Sequence, residues 1–516
     1  MARFLFTVWP FSGHLHPAIA VAHALRARHH SVAFYTGGSV RAVVESEGFQ
    51  LLPFAKLDEE RISALVASFP YSPSLWSRLR TARDLAAKFR EWLLGTIPAQ
   101  VDDLDGILGQ WAPDVVVCDP VFWSPILIFS ERREFAVAVL SVLAACVLPG
   151  PDVPFWGQGL PRPRNARMRL YSRLLATLGR WVSVGFRAEV DRIRAGYGLS
   201  ALDCPVTEFA ARMPLYLVPS TREYDYGRSH LPPSVHYVGP CLWDKPSSTP
   251  APEWLMKLGR DRPLVYVTEA TVGTGEPFLL KAAARALQNM PVDVVMTTGK
   301  QRDPKAWDWG NLAPNIRVEA YVPQSDLLPR AAVMVTVGGS GGVLAALQAG
   351  VPLVVAPTEW DRPENAQRVV EAGAGLRIAA NRCTPQRLRA AVERVLSEPS
   401  FRRNAERLRE VGVRHGGPAR AAELLEGLSY STVSRKRGQN PGMLETALHS
   451  TPRGLSELRG MAHDEAAGKS AVRPRCEAPP FCPRGTKLVS EKRPQASFSH
   501  RLRELETLRA ETESVG

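Results

Sequence analysis

Val333-Met-Val-Thr-Val-Gly-Gly-Ser-Gly-Gly342 runs an apolar, β-branched stretch straight into a glycine-rich turn. A short apolar run closed by glycines reads as a buried strand entering a helix. Backbone N–H groups at such a helix start, aided by the helix dipole, can cradle a diphosphate. A tight packing turn between strand and helix would use the same glycines, so the run alone points to an architecture rather than a ligand. It is neither the Gly-x-Gly-x-x-Gly dinucleotide fingerprint nor a Walker loop with its Gly-Lys-Ser/Thr.

The same alternation extends in both directions. Around the glycine turn, strands are expected at Leu264–Thr268, Asp293–Thr298, Ile316–Tyr321 and Leu353–Ala356, with helices filling the gaps and continuing through Pro385–Leu396 and Phe401–Val411. Towards the N-terminus, strands are expected at Phe4–Val8, Ser31–Tyr35, Phe49–Phe54, Asp114–Asp119, Phe135–Leu143, Leu215–Pro219 and Val235–Gly239, with a helix over Pro17–Arg28. Short apolar strands alternating with helices indicate an α/β protein built on parallel sheets covered on both faces. Two such halves follow one another, residues 1–239 and 262–428. The connector 240–261 between them contains Lys245-Pro-Ser-Ser-Thr-Pro-Ala-Pro252, the composition of a linker. Ligands of doubly wound sheets bind beyond the carboxyl ends of the strands, so the cleft between the halves is the expected site.

From Ser429 the periodic apolar pattern fades. Residues 429–516 hold 15 Lys/Arg and 10 Asp/Glu and read as a disordered tail without chemistry.

Composition narrows the function classes. The chain has 516 residues, 45% hydrophobic and 22% charged, ordinary for globular proteins. Its net charge of +13 favours anionic partners. The basic residues are dispersed, and no recognition helix or RNA-binding signature is present, which argues for a basic enzyme over a nucleic-acid binder. Seven cysteines, with no Cys-x-x-Cys pair, argue against a zinc site or disulfide framework and suit a reducing, cytoplasmic compartment. Only Arg3 precedes the first strand, and His14 and His16 interrupt the apolar stretch, a poor signal peptide. No run of about 18 apolar residues suggests a membrane span.

Several further stretches carry chemistry. Pro10-Phe-Ser-Gly-His-Leu-His-Pro17 follows the first strand. A histidine there faces the cleft, titrates near neutrality and can take a proton from an attacking hydroxyl. His14 and His16 compete for that role, and a helix-capping loop histidine is the plain alternative. Asp119 ends the strand Asp114-Val-Val-Val-Cys-Asp119. It can orient an imidazole as the acid of a catalytic triad does, or serve as a helix cap. Thr358-Glu-Trp-Asp-Arg-Pro-Glu-Asn365 follows another strand, where it forms a loop over the cleft or a plain helix cap. Asp102-Asp-Leu-Asp105 contains an Asp-x-Asp, but lies on an expected surface helix between Pro98 and Trp111. A solvated helix face is favoured there over a metal site.

In this order and spacing the motifs resemble the family 1 glycosyltransferases, in their bacterial macrolide and natural-product branch. The resemblance spans residues 1–428. It is most specific in Tyr321-Val-Pro-Gln324, the glycine turn, Gly350-Val-Pro352 and Asp361-Arg-Pro-Glu-Asn365. It implies the GT-B fold, two Rossmann-like domains facing across a cleft, with acceptor bound by the first and nucleotide sugar by the second. It also implies inverting transfer of a hexose from a UDP- or TDP-sugar to a hydroxyl of a small lipophilic acceptor, with no metal and no cofactor. By position, His14 is similar to the family's base and Asp119 to its partner. Tyr321 resembles the aromatic stacked on the nucleotide base, Val322 a backbone contact to that base and Gln324 a ribose contact. Gly339, Ser340, Gly341 and Gly342 resemble the diphosphate turn, Thr271 a phosphate-side contact and Asp361 the acid on the sugar hydroxyls. The chain departs from the pattern in three places. Val337 stands where the family usually has histidine, Ala345 where it has an acid on the ribose, and Arg362 where it has glutamine. Arg362 can pair with phosphate instead.

Two rival readings differ in class. A catalytically weakened GT-B protein that binds a lipid or a partner enzyme would explain Val337 and Ala345, but leaves His14 and Asp119 without purpose. A sugar-nucleotide epimerase would need several acids in the cleft, and no such set is seen. The acceptor pocket is expected from loops such as Phe122–Pro125 and Pro149–Leu160. The basic amphipathic segment Arg162–Arg194 reads as helices roofing that pocket with arginines in solvent. Its alternative is an interfacial face resting weakly on anionic membrane.

Overall fold

The computed structural model describes residues 1–69, 75–143, 146–150, 152–182, 184–243, 253–258, 261–269, 277–299 and 303–436. Seven parallel strands form the first sheet: β1 Arg3–Thr7, β2 Ser31–Thr36, β3 Gln50–Pro53, β4 Val115–Cys118, β5 Ala136–Leu140, β6 Leu215–Val218 and β7 Val235–Tyr237. Their order is β3-β2-β1-β4-β5-β6-β7. Six more form the second: β8 Leu264–Thr268, β9 Asp293–Thr297, β10 Ile316–Glu319, β11 Ala331–Thr336, β12 Leu353–Val355 and β13 Gly375–Arg377. Their order is β10-β9-β8-β11-β12-β13. Both sheets belong to one unit of the chain.

Helices cover both faces of each sheet, so the strands carry apolar residues on both sides. The period of two then divides each strand between two core layers. Leu5, Tyr35, Val116 and Cys118 enter one layer of the first sheet; Phe4, Phe6, Phe34, Val115 and Val117 enter the other. In the second sheet, Val265, Val267, Val333 and Val335 face one way and Leu264, Tyr266, Met334 and Val355 the other. Strand order reverses between β1 and β4 and again between β8 and β11. These are the switch points where a doubly wound sheet opens a crevice.

Three differences from the sequence reading matter. The first helix begins at Ser12 and carries Pro17 inside it, so His14 lies in its first turn rather than in a loop. The strand β13 was not expected, being only Gly-Leu-Arg. The helix Gly417–Lys436 runs past Ser429, where the tail was expected to start. Its small and leucine residues Ala421, Ala422, Leu424, Leu425 and Leu428 pack with Phe4, Phe6, Leu15 and Ile19 beneath the first sheet. Glu426 on that helix accepts from Arg28 Nε at 2.9 Å and meets His30 Nε2 at 3.2 Å. The chain therefore returns to the domain in which it began. Ser429 and Thr432 are buried and bond back to the carbonyls of Glu426 and Leu428 at 2.7 and 3.1 Å. Half of the expected linker, 244–252 and 259–260, and residues 437–516 lie outside the described residues.

Asp102 and Asp105 are exposed, as expected of a solvated helix face, but Asp103 is not. It is buried, accepts from the Tyr35 hydroxyl at 2.9 Å and from the backbone N–H of Ala55 at 2.9 Å and Lys56 at 3.0 Å, and so ties the helix Ile97–Trp111 to β2 and the loop after β3. Among the described residues, no group of three or more His, Cys, Asp and Glu side chains is placed to hold a metal, and no helix is long and apolar enough to cross a membrane.

Candidate active site

Thr7 at the end of β1 pairs in register with Cys118 at the end of β4, so the chain leaves both strands at the same level. Asp119 comes next after β4. It is 1% exposed, and its Oδ1 accepts the N–H of Val121 at 2.9 Å. Its Oδ2 is hydrogen-bonded to His14 Nδ1. Two residues 105 positions apart thus meet because parallel strands at a switch point end side by side. With Nδ1 engaged, Nε2 is the His14 nitrogen left for proton transfer, and His14 lines the cavity. Burial acts to lower the His14 pKa, but the charge and hydrogen bond of Asp119, helped by the charge of Asp361, outweigh it and leave it above the ordinary imidazole value. His16 points to a different partner, its ring 4.8 Å from that of Trp243.

Across the cavity, the second domain contributes mostly backbone. The helix Ser340–Gln348 starts directly after β11 and has no side-chain cap. Its first N–H groups lack intrahelical partners, as at every helix start. Side chains built on Gly339 or Gly341 would meet nothing within 4 Å, so this turn stands open to the cavity. Gly338 has a φ of 92°, and a Cβ there would lie 2.8 Å from Val355 and 3.2 Å from the Arg362 carbonyl. Only glycine lets β11 turn into the helix so close to the next loop. Asp361 Oδ2 accepts from the Ser340 hydroxyl at 2.6 Å and from Asn365 Nδ2 at 3.1 Å. Asn365 Nδ2 also reaches the Gly338 carbonyl at 2.9 Å, so it staples the glycine turn to the loop that carries Asp361.

The remaining sequence candidates are placed as follows. Tyr321 is 41% exposed, Val322 is buried, and both line the cavity; Gln324 begins a short helix beside Gly342. Arg362 is buried, with Nη1 2.6 Å from Glu359 and also donating to Thr358, so its charge is met within its own loop. Val337 is packed into the core of the second sheet and, like Ala345, borders the cavity. Thr271 lies outside the described residues. The cavity enclosed by these groups measures about 1870 Å³ and takes its walls from both domains.

A sequence family described as the C-terminal domain of erythromycin biosynthesis protein CIII-like matches residues 283–428. The 4'-demethylrebeccamycin synthase of Lentzea aerocolonigenes is 34% identical over 430 residues, covering 83% of this chain and 99% of the relative. The chain belongs to the family 1 natural-product glycosyltransferases. The demethyllactenocin mycarosyltransferase of Streptomyces fradiae is 26% identical over 441 residues, 83% of this chain and 87% of its own length. The solved structure of the calicheamicin glycosyltransferase CalG4 aligns with a TM-score of 0.64 at 22% identity, over 83% of this chain and 98% of that one, which establishes the shared GT-B fold.

The way this glycosyltransferase joins its domains leaves little trace in the sequence. The loop after β5 crosses to the helix Arg362–Glu371. Gly157 and Gly159 each donate a backbone N–H to Glu364 Oε1 at 2.8 Å, and Arg162 N–H reaches Glu371 at 3.0 Å. Arg368, fully buried, pairs with Asp225 of the first domain at 3.0 Å and with Glu364 at 3.2 Å. Burial works to raise the Asp225 pKa, but Arg368 and Arg228 dominate and hold it at about 2. Gly159 has a φ of 58°, and a Cβ there would overlap the Pro363 carbonyl at 2.3 Å. The only signal in the sequence was the glycine and proline content of residues 149–164. The roof helices differ from expectation only in their leucines. Arg169, Ser172, Arg173 and Ala176 border the cavity and the two arginines are also exposed, as expected of a roof, but Leu170 and Leu174 are exposed as well.

Proposed function

We propose that this glycosyltransferase carries out inverting transfer of a sugar from a UDP- or TDP-sugar to a hydroxyl of a small lipophilic acceptor held against the first domain, without a metal. The observation that carries the reading is the hydrogen-bonded His14–Asp119 pair, placed on the same cavity as the open glycine turn.

His14 Nε2 takes the proton of the acceptor hydroxyl, and Asp119 holds the ring and stabilises the imidazolium that forms. The oxygen attacks the anomeric carbon as its bond to the diphosphate breaks. Charge gathering on the leaving diphosphate is met by the helix-start N–H groups of Ser340, Gly341 and Gly342. Asp361 takes sugar hydroxyls, while Tyr321, Val322 and Gln324 take the nucleoside. Nucleophile and leaving group approach from opposite domains, which favours a single in-line displacement and inversion at the anomeric carbon. The reading of a weakened, partner-binding protein leaves an oriented, cavity-facing imidazole unexplained.

The test incubates the purified protein with UDP- and TDP-sugars and a panel of hydroxylated natural products in excess EDTA, and reads the anomeric configuration of the product by NMR. Inverted product formed in EDTA is expected. Retained configuration, or transfer that returns only on adding a divalent metal, would overturn the proposal.

A further inference from the structure

Trp360 immediately precedes Asp361, and its φ of 64° lies in the left-handed region. A bulky residue is rare there and persists only where its surroundings hold it. What holds it lies in the other domain. Its ring centroid is 4.7 Å from Phe69, 5.9 Å from Trp92 and 6.2 Å from Phe89, the last two met edge-on. Trp92 in turn meets Phe11 at 6.2 Å, and Phe11 meets His14 at 5.8 Å. Phe11, Phe89, Trp92 and Trp360 all line the cavity. A continuous run of aromatic rings therefore leads from His14 across the cleft, and its last ring is supplied by the loop of Asp361.

We propose that Trp360 is a specificity-determining residue for the acceptor: reaching across from the donor-side loop, it completes an aromatic wall that selects acceptors with a flat, fused-ring aromatic face. This rests on the reading that the first-domain side of the cavity holds the acceptor. Aromatic rings attract one another through offset and edge-on contacts beyond what buried area alone supplies, so the wall discriminates a flat π-system from an aliphatic body of the same size. Because Trp360 and Asp361 are consecutive, an acceptor packed on the indole also fixes the loop that faces the sugar.

Calorimetry without donor tests this with two probes of similar size, a hydroxyanthraquinone and a hydroxysteroid, on the parent protein and on Trp360→Gly and Trp360→Phe. Glycine suits the left-handed backbone, so the loop keeps its path when the ring is removed. Trp360→Gly is expected to weaken anthraquinone binding about tenfold and steroid binding less than about threefold, in line with the size of aromatic pair energies. Trp360→Phe should recover most of the anthraquinone affinity. Equal weakening for both probes, or no change for either, would overturn the inference. Transfer assays with the same probes separate it from the proposed function. Selective binding of the predicted kind without any glycoside formed would support the wall and contradict the catalytic reading.

Discussion

The two sides of the cavity are built from different materials. On the first domain the proposed chemistry rests on two side chains, His14 and Asp119, which follow separate strands and touch because those strands end together. On the second domain it rests on backbone, an uncapped helix start after β11 held in place by Gly338, Asn365 and Asp361. A side-chain site can be removed with one substitution and little change of shape. A backbone site has no side chain to delete and is broken by adding atoms.

The largest effect expected from this contrast is on His14. His14→Ala should lower turnover about 10²–10⁴-fold, the usual worth of general-base catalysis, while donor affinity by calorimetry stays within about twofold. Turnover within about threefold of the parent would remove His14 from the mechanism. The converse substitution is Gly338→Ala, which keeps every side chain of the site but adds a methyl against Val355 and the Arg362 carbonyl. With a left-handed penalty of about 1–2 kcal/mol, donor affinity should fall roughly 5–30-fold, while acceptor affinity measured without donor holds. Unchanged donor affinity would show that the turn does not carry the diphosphate.

The latch between the domains should respond more mildly. Glu364→Ala leaves the N–H groups of Gly157 and Gly159 and the Arg368 guanidinium short of an acceptor. An unmade buried hydrogen bond costs about 1–3 kcal/mol, so thermal unfolding should fall by several degrees and acceptor KM should rise severalfold. Gly159→Ala should reproduce both effects through its overlap with Pro363, and failure to do so would disconnect the loop from acceptor binding. Smallest is Ala345→Glu, which places an acid where the family has one on the ribose. Donor affinity should tighten a few-fold, as expected of one charged hydrogen bond made partly in water. A loss of affinity would mean that the nucleoside lies elsewhere in the cavity.

The same contrast explains what could be read in the sequence. The glycine turn was legible because a backbone site needs contiguous residues, and Val333–Gly342 carries both the strand and its turn. Strand positions emerged from apolar runs such as Val115-Val-Val-Cys118, since burial on both faces leaves no polar residue to confuse the pattern. His14 and Asp119 were legible only as a strand-end histidine and a strand-end acid, each with a structural alternative; their contact depends on strand order, which the local sequence does not encode. Trp360 and Glu364 were hidden for a similar reason. Their partners lie in the other domain, with Phe69 and Gly157 at distances in sequence that no periodicity reaches. The helix Gly417–Lys436 was cut short at Ser429 because its buried serine and threonine satisfy themselves on the preceding turn and look polar in sequence.

If Asp119 tunes His14 to act as the base, the pH dependence of kcat/KM carries its signature. A base works only when deprotonated, so activity rises with pH through the His14 pKa, which Asp119 and Asp361 hold above the ordinary value of 6.5. Asp119→Asn removes the charge that favours the imidazolium. The rising limb should therefore move to lower pH while the plateau falls. A limb that stays where it was, with the plateau unchanged, would mean that Asp119 does not tune His14.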